Sequence, residues 1–284
     1  MCVELFEKAT MVFANRWIPG PERKDAIKKA EELLAENQKS TINYLREGIT
    51  DKALVGKATG EYITLLSDPR MRRLECDVAV KATQLGICVN ESLFRSNYEK
   101  IVSFAETRRI FVWLDMENSE YVDATINAYI HVLKKHKNVG IAIQSKIRRS
   151  YHDAKMLVKH GGIIRIVKGA YKENARIAYT ERKQIDANYI RIMEYLFRNS
   201  KKFMIATHDY RIIRKAMALQ RRYKRDITFS MLNGIRRKLA EEIANKGYET
   251  RIYVPYGKEW FAFAWRRFKE GVNTVLMVRS MLNM

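Results

Sequence analysis

Cysteine is scarce in this sequence of 284 residues, and so is proline. The 3 cysteines, Cys2, Cys76 and Cys88, are odd in number and lack the spacing of metal ligands, which argues against a disulfide framework and a zinc site. We therefore expect reduced thiols, as in a cytoplasmic protein, and no bound metal. The 4 Pro and 13 Gly form no linker-like or low-complexity tract, so we predict one large domain.

Long apolar runs are also absent. No segment approaches the length that spans a bilayer, and Met1–Lys8 contains acidic residues without the apolar core of a signal peptide. Any membrane contact is therefore expected to be peripheral, on the inner face of the cell membrane. For the apolar segment Val272–Met284 we favour docking on the rest of the fold over membrane contact, because the run is short.

Basic residues, in contrast, are plentiful. The 53 Lys and Arg against 32 Asp and Glu give a net charge of +21, which favours phosphates, nucleic acid or an acidic membrane as partners. The charge is spread along the chain, and clusters such as Arg221–Arg225 lie on helix-like polar faces, so a solvated surface is the favoured interpretation. Since no nucleic-acid-binding module is recognisable, we predict no nucleic-acid partner.

Short apolar runs alternate with amphipathic segments about eight times, which is typical of a (β/α)₈ barrel. A doubly wound sheet is the alternative, but no Gly-x-Gly-x-x-Gly turn follows a strand. The predicted strands are 41–45, 76–83, 110–115, 139–143, 163–167, 203–206, 227–229 and 251–254. The predicted helices include 24–37, 62–66, 91–106, 121–135, 153–160 and 186–199.

One stretch, Gly161–Tyr171, organises this interpretation. Arg165 interrupts an otherwise apolar strand, and a buried charge is costly unless something neutralises it, so Arg165 and Lys168 are expected to face a site. Gly169 then permits a close approach by backbone or ligand, and the residues from Lys172 onward are compatible with a helix. A buried strand with cations that snorkel to the surface explains the spacing equally well.

Polar residues recur within or just after the predicted strands. A closed barrel would gather them around one mouth, where such barrels hold their chemistry. These residues are Lys81, Asp115, Gln144, Lys168, His208 and Tyr253.

Six motifs in register resemble the proline dehydrogenase family, from about Asp25 to the C-terminus. They are Val80–Gly86, Leu114–Glu117, Arg165–Tyr171, Ala206–Asp209, Tyr253–Gly257 and Arg266–Glu270. The resemblance implies a distorted (β/α)₈ TIM-type barrel that binds FAD, with a final helix, Glu259–Glu270, over the barrel mouth. It also implies oxidation of L-proline to Δ1-pyrroline-5-carboxylate by hydride transfer to flavin N5, with a quinone as the next electron acceptor.

We expect the chain to consist of an N-terminal helical segment, 1–38, and a catalytic barrel, 39–284. Arg266 and Arg267 match the clamp for the proline carboxylate, and the forked guanidinium suits that task better than a lysine. Glu270 either positions an arginine of this clamp or meets the substrate. The other catalytic residues that match are Lys81, Asp115, Arg165, Leu232 and Tyr253. Those that match flavin contacts are Gln144, Arg165, Val167, Lys168, Gly169, Ala170, Tyr171, Thr207 and His208.

Several of these residues also have a purely structural interpretation. Lys81 and Asp115 could form an internal ion pair, and His208 could be a hydrogen-bonded structural histidine. Tyr171 and Tyr253 could be ordinary aromatics of the barrel rim, and Arg266–Arg267 a solvated helix face.

Three positions depart from the family pattern. Ser230 stands where many members have glutamine, Asn233 where they have tyrosine, and Phe263 where others often carry tyrosine. The alternative functions are another flavin-dependent barrel oxidoreductase, similar to methylenetetrahydrofolate reductase, and a basic protein that binds nucleic acid or phosphate.

Overall fold

Eight parallel strands close into a barrel in the computed structural model, which describes residues 17–260. Each strand pairs with its neighbours in chain order, and β8 closes on β1. The strands are β1 (Lys39–Tyr44), β2 (Asp77–Lys81), β3 (Val112–Asp115), β4 (Val139–Gln144), β5 (Ile163–Val167), β6 (Lys202–Ala206), β7 (Asp226–Leu232) and β8 (Glu249–Tyr256). The predicted fold class is confirmed.

Helices follow the strands and cover the outside of the barrel. They are α1 (Arg23–Ala35), α2 (Lys52–Ser67), α3 (Pro69–Arg73), α4 (Glu91–Thr107), α5 (Val122–Lys135), α6 (Ser150–Lys159), α7 (Arg182–Asn199), α8 (Tyr210–Tyr223) and α9 (Arg237–Asn245). Short 3₁₀ turns at Ala82–Gln84 and Ser119–Tyr121 follow β2 and β3. Within residues 17–260, none of the helices has both the length and the apolar character needed to cross a membrane.

The two faces of each strand pack into different parts of the core. In β3, Val112 and Leu114 pack into the large core between strands and helices, whereas Trp113 belongs to a separate cluster inside the barrel. That inner cluster also contains Ala79, Met204 and Tyr253. Because successive side chains on a strand point to opposite faces, Asp115 lies on the same face as Trp113 and ends the strand at the barrel mouth.

One detail differs from the prediction. The residues that follow β5, from Lys172 to Glu181, form a loop although their composition is compatible with a helix, and α7 begins at Arg182, shortly before the predicted start at 186. A backbone bridge between Ile147 and Ala178 ties this loop to the β4–α6 connection. Polar, helix-compatible composition was a poor guide here, since these pairings with a distant segment fix the loop.

Candidate functional site

Asp115 is the centre of a charged cluster at the carboxyl ends of the strands. Its Oδ2 accepts hydrogen bonds from Lys81 Nζ at 3.2 Å and from the Tyr253 hydroxyl at 2.7 Å. Its Oδ1 accepts from Arg165 Nη2. We call Lys81, Asp115, Arg165 and Tyr253 the upper network; they come from β2, β3, β5 and β8, so only closure of the barrel brings them together.

The opposite charges in the upper network stabilise one another's ionised forms. Burial would raise the pKa of Asp115, but Arg165 and Lys81 outweigh that effect and hold the pKa below its usual value. Burial disfavours the ammonium of Lys81, yet Asp115 and Glu47 outweigh it and raise the pKa of the lysine. Lys81 and Asp115 are therefore ionised at neutral pH in a site that is largely shielded from water.

The Arg165 guanidinium is held by one ion pair and two aromatic rings. Arg165 is 2% exposed, and its Cζ lies 5.1 Å from the ring centroid of Trp113 and 5.6 Å from that of Tyr253. Its Nε and Nη1 have no hydrogen-bond partner among residues 17–260. Buried donors are almost always paired in proteins, so these two N–H groups point to a ligand or to a segment outside the described residues.

Gln144 and Gly169 form a second polar element beside the upper network. Gln144 Nε2 donates to the carbonyls of Met116 and Glu117 at 2.8 and 2.7 Å, which fixes the amide and leaves its Oε1 without a partner in the described chain. Gly169 has a φ of +105°, and a Cβ there would lie 2.8 Å from Gln144 Oε1. The backbone at residue 169 can therefore approach the amide only as glycine.

The Lys168 ammonium pairs with carboxylates of the protein itself. Its ammonium forms ion pairs with Asp186 and with Asp209, the latter at 3.0 Å, and Asp209 also caps the N-terminus of α8. The carbonyl of Val167, the preceding residue, accepts a hydrogen bond from Ser145 N at 2.8 Å. Ala170 follows Gly169 in the same loop.

His208 and Thr207 lie at the carboxyl end of β6. His208 Nε2 accepts a hydrogen bond from the backbone of Leu232 at 3.2 Å, so one ring nitrogen is engaged structurally. Thr207 Oγ1 accepts from the Asp209 amide at 3.1 Å. Leu232 packs against the inner cluster that contains Tyr253 and so lies beside the upper network.

Tyr171 contacts the loop that follows β1. Its hydroxyl donates to Glu47 Oε2 at 3.4 Å, and its carbonyl accepts from Lys146 Nζ at 2.7 Å. Glu47 Oε1 in turn lies 3.9 Å from Lys81 Nζ. The loop after β5 is thereby connected to the upper network.

Comparison with known proteins identifies the family of this chain. A family model described as "Proline dehydrogenase" matches residues 26–279. The "Proline dehydrogenase" of Deinococcus radiodurans is 31% identical over 278 residues, which cover 95% of this chain and 90% of that protein. "Proline dehydrogenase 2" of Bacillus subtilis (strain 168) is 29% identical over 262 residues, covering 91% of this chain and 86% of that one. The chain belongs to the proline dehydrogenase family.

Solved structures show the same fold. Proline utilization A (PutA) from Bdellovibrio bacteriovorus, inactivated by N-propargylglycine, superposes with a TM-score of 0.85 at 21% sequence identity. The superposition covers 93% of this chain and 33% of the PutA chain, so this chain spans about a third of that protein. At this identity the likeness establishes the barrel and nothing finer.

Some residues that the family resemblance assigns to the site lie outside residues 17–260. They are Arg266, Arg267 and Glu270, as well as the departure at Phe263; the expectations for the final helix and for Val272–Met284 also fall there. Of the other departures, Ser230 is buried in β7, and Asn233 Nδ2 donates to the carbonyl of Trp17 at 3.1 Å.

Sequence reasoning missed two neighbours of the upper network. Asn43 in β1 accepts a hydrogen bond from Lys81 Nζ at 3.3 Å, and Glu117 accepts from the backbone and hydroxyl of Thr83 at 2.8 and 2.7 Å. Burial, reinforced by Glu47, raises the pKa of Glu117 to about 7. A polar residue inside the weakly predicted first strand was the signal for Asn43, and Glu117 stood in a quoted motif without a role.

Proposed function

We propose that this chain oxidises L-proline to Δ1-pyrroline-5-carboxylate with FAD as the hydride acceptor, and that a quinone then takes up the electrons. Family membership supports proline as the substrate. The observation that supports a redox site most directly is Arg165, a buried guanidinium with two N–H groups that have no partner among the described residues. Such a group suits a partner that carries or develops negative charge.

The described residues fit a flavin on two counts. The unpaired Oε1 of Gln144 and the unpaired donors of Arg165 offer both an acceptor and donors to a polar ring edge. Gly169 lets backbone and ligand approach closely beside them. We infer that Gln144, Arg165 and Gly169 hold the ring system, with Val167, Lys168, Ala170, Tyr171, Thr207 and His208 around it. When bound, the cofactor supplies the two-electron acceptor for the substrate hydride.

Substrate binding calls for cations and an apolar wall. A carboxylate that enters a partly desolvated pocket needs fixed positive donors, and by family resemblance Arg266 and Arg267 provide them. Lys81 adds a buried positive charge, which Asp115 orients through a 3.2 Å contact. Tyr253 and Leu232, which pack together inside the barrel, would face the proline ring.

Two features of the site bear on the chemical step. Removal of a hydride from the carbon beside nitrogen requires a neutral amine, so the bound zwitterion must lose a proton before or during transfer. Arg165, whose guanidinium pairs with Asp115, would stabilise the negative charge that develops on the acceptor.

The purified chain provides the test of the proposal. We expect a yellow protein whose flavin absorbance is bleached by L-proline without oxygen and restored by a quinone. A colourless protein whose binding of nucleic acid weakens with salt would contradict the proposal and support a basic binding protein instead. A yellow protein that proline does not bleach would point to a different flavin-dependent oxidoreductase.

The carboxylate role of Arg267 can be tested separately. We expect Arg267→Met to raise the KM for proline by about 30-fold, the loss typical of a charged hydrogen bond, while the bound flavin is retained. Arg237→Met is the matched control, since the Arg237 side chain is 63% exposed and pairs with Glu36 at the surface. Near-normal saturation by proline in Arg267→Met would rule out the clamp.

A further inference from the structure

We propose that Trp113 is a positioning residue for Arg165, and that Asp77 and Gly140 hold its indole in place for this task. The inference rests on the proposed flavin-dependent function. Trp113 belongs to none of the six family motifs, and the sequence assigns it no role in the site. Its role follows from the barrel interior.

The indole of Trp113 forms one wall of the Arg165 site. Trp113 is 2% exposed in the inner cluster, and the guanidinium carbon of Arg165 lies 5.1 Å from its ring centroid. Tyr253 contributes the second ring at 5.6 Å. A guanidinium at these distances from aromatic rings is attracted to their faces, and the attraction is strongest where water is excluded.

The ion pair alone does not fix the orientation of Arg165. Among the hydrogen bonds of the described residues, only Nη2 is engaged, by Asp115. A single hydrogen bond leaves the guanidinium plane more rotational freedom than a bidentate pair would. The ring of Trp113 restricts this rotation and so determines where the unpaired Nε and Nη1 point.

Asp77 anchors the indole from below. Trp113 Nε1 donates to Asp77 Oδ2 at 3.0 Å, and Arg251 Nη1 lies 3.2 Å from Asp77 Oδ1. The indole therefore has one edge bonded at the lower end of the barrel while its ring lies near the cation above. Its rotamer is set by a polar contact that has no direct part in the site.

Gly140 makes room for the indole. It is the partner of Trp113 in the β3–β4 register, and a Cβ at residue 140 would lie 2.4 Å from Cζ3 and 2.6 Å from Cε3 of the indole. Real Cβ contacts are never so short, so any larger residue would displace the ring. The chain thus fixes the indole from its edge and from its flank.

A double-mutant cycle with Arg165 tests the proposal. We expect Trp113→Leu to slow the anaerobic reduction of the flavin by proline about three- to tenfold, the effect of losing one buried cation–π contact, with little change in KM. In the Arg165→Met background the same substitution should have no further effect, because its influence passes through the guanidinium. Phe111→Leu is the control: Phe111 lies 4.9 Å from Trp113 between ring centroids, and its loss should affect both backgrounds equally.

A second readout is the midpoint potential of the bound flavin. Trp113→Leu should move it part of the way towards the value of Arg165→Met, whereas Phe111→Leu should leave it unchanged. Gly140→Ala, which displaces the indole without removing it, should behave like Trp113→Leu and replaces that variant if it does not fold.

The outcomes separate the two proposals. If the wild-type flavin is not reduced by proline, the proposed function fails. If it is reduced, and the effects of Trp113→Leu and Arg165→Met multiply rather than merge, Trp113 is a packing residue only and the positioning role is overturned.

Discussion

The two ends of the barrel interior both contain buried charges, but they are satisfied to different degrees. At the lower end, Arg251 contacts Asp77 at 3.2 Å and Glu249 at 3.1 Å, and it donates to the carbonyls of Ser40 and Glu75. Glu249 also accepts from Lys39 at 3.0 Å and from Thr228 at 3.1 Å. We call Asp77, Arg251, Glu249, Lys39 and Thr228 the lower network.

The upper network leaves hydrogen-bond donors open. Arg165 Nε and Nη1 are buried and lack partners among residues 17–260, whereas no buried charged atom of the lower network does. Charges that are fully paired inside the protein contribute to the fold, and unpaired ones are available for a ligand. The comparison therefore assigns stability to the amino end of the barrel and chemistry to the carboxyl end, as is general for this fold.

The largest effect is expected from breaking the lower network. Arg251→Met removes the cation beside Asp77 and Glu249 and should lower the free energy of unfolding by about 3–5 kcal/mol, because it leaves buried charge uncompensated. Urea denaturation measures this. Arg237→Met, at an exposed ion pair, should change the unfolding free energy by less than about 1 kcal/mol. Equal losses in both variants would refute the contrast between buried and exposed pairs.

The next effect is a pH dependence of stability that arises from Glu117, beside the upper network. Because burial raises the pKa of Glu117 from 4.5 to about 7, the folded chain binds a proton there more tightly than the unfolded chain does. This contribution to stability is complete below pH 4.5 and is lost as the pH rises through about 7. By pH 7 the loss amounts to about 3 kcal/mol of unfolding free energy.

Glu117→Gln should remove that pH dependence. As the pH rises through this range, the unfolding free energy of wild type is expected to fall relative to that of the variant. Glu242→Gln, at an exposed position of α9, serves as the control and should run parallel to wild type. Parallel curves for Glu117→Gln would mean that Glu117 is ionised throughout.

The smallest effect is expected within the upper network. Tyr253→Phe keeps the ring near Arg165 but removes the hydroxyl that donates to Asp115 at 2.7 Å. The hydroxyl also accepts a hydrogen bond from Lys81 Nζ at 3.2 Å, so it joins two charged groups of the site. Loss of a hydrogen bond to a charged group costs about 2 kcal/mol, so kcat/KM for proline should fall by about 30-fold or less. The free energy of unfolding should fall by about 2 kcal/mol or less for the same reason. A loss of stability without a loss of activity would mean that Tyr253 has a structural role only.

Sequence reasoning succeeded where the pattern is local. Asp115 was predicted to end the strand 110–115, and Arg165 was singled out as the one charge inside the apolar strand 163–167. The structure brings both side chains together inside the barrel. The family resemblance then connected these positions to a site.

It failed where the contact depends on register or on a distant loop. Asp77 and Trp113 are 36 residues apart, and their hydrogen bond exists only because β2 and β3 pair in one register. The expectation that Lys168 faces the site stays a prediction, but its ion pairs with Asp186 of α7 and with Asp209, the N-cap of α8, were not anticipated. Neither relation leaves a signal in the spacing of residues along the chain.

The most direct test of the contrast between the two ends is the rate at which L-proline reduces the flavin in Arg165→Met. We predict that this variant retains its flavin but is reduced at least about 100-fold more slowly than wild type, the loss typical of a removed electrostatic contact to developing charge. A variant reduced at the wild-type rate would contradict the assignment of chemistry to the upper network.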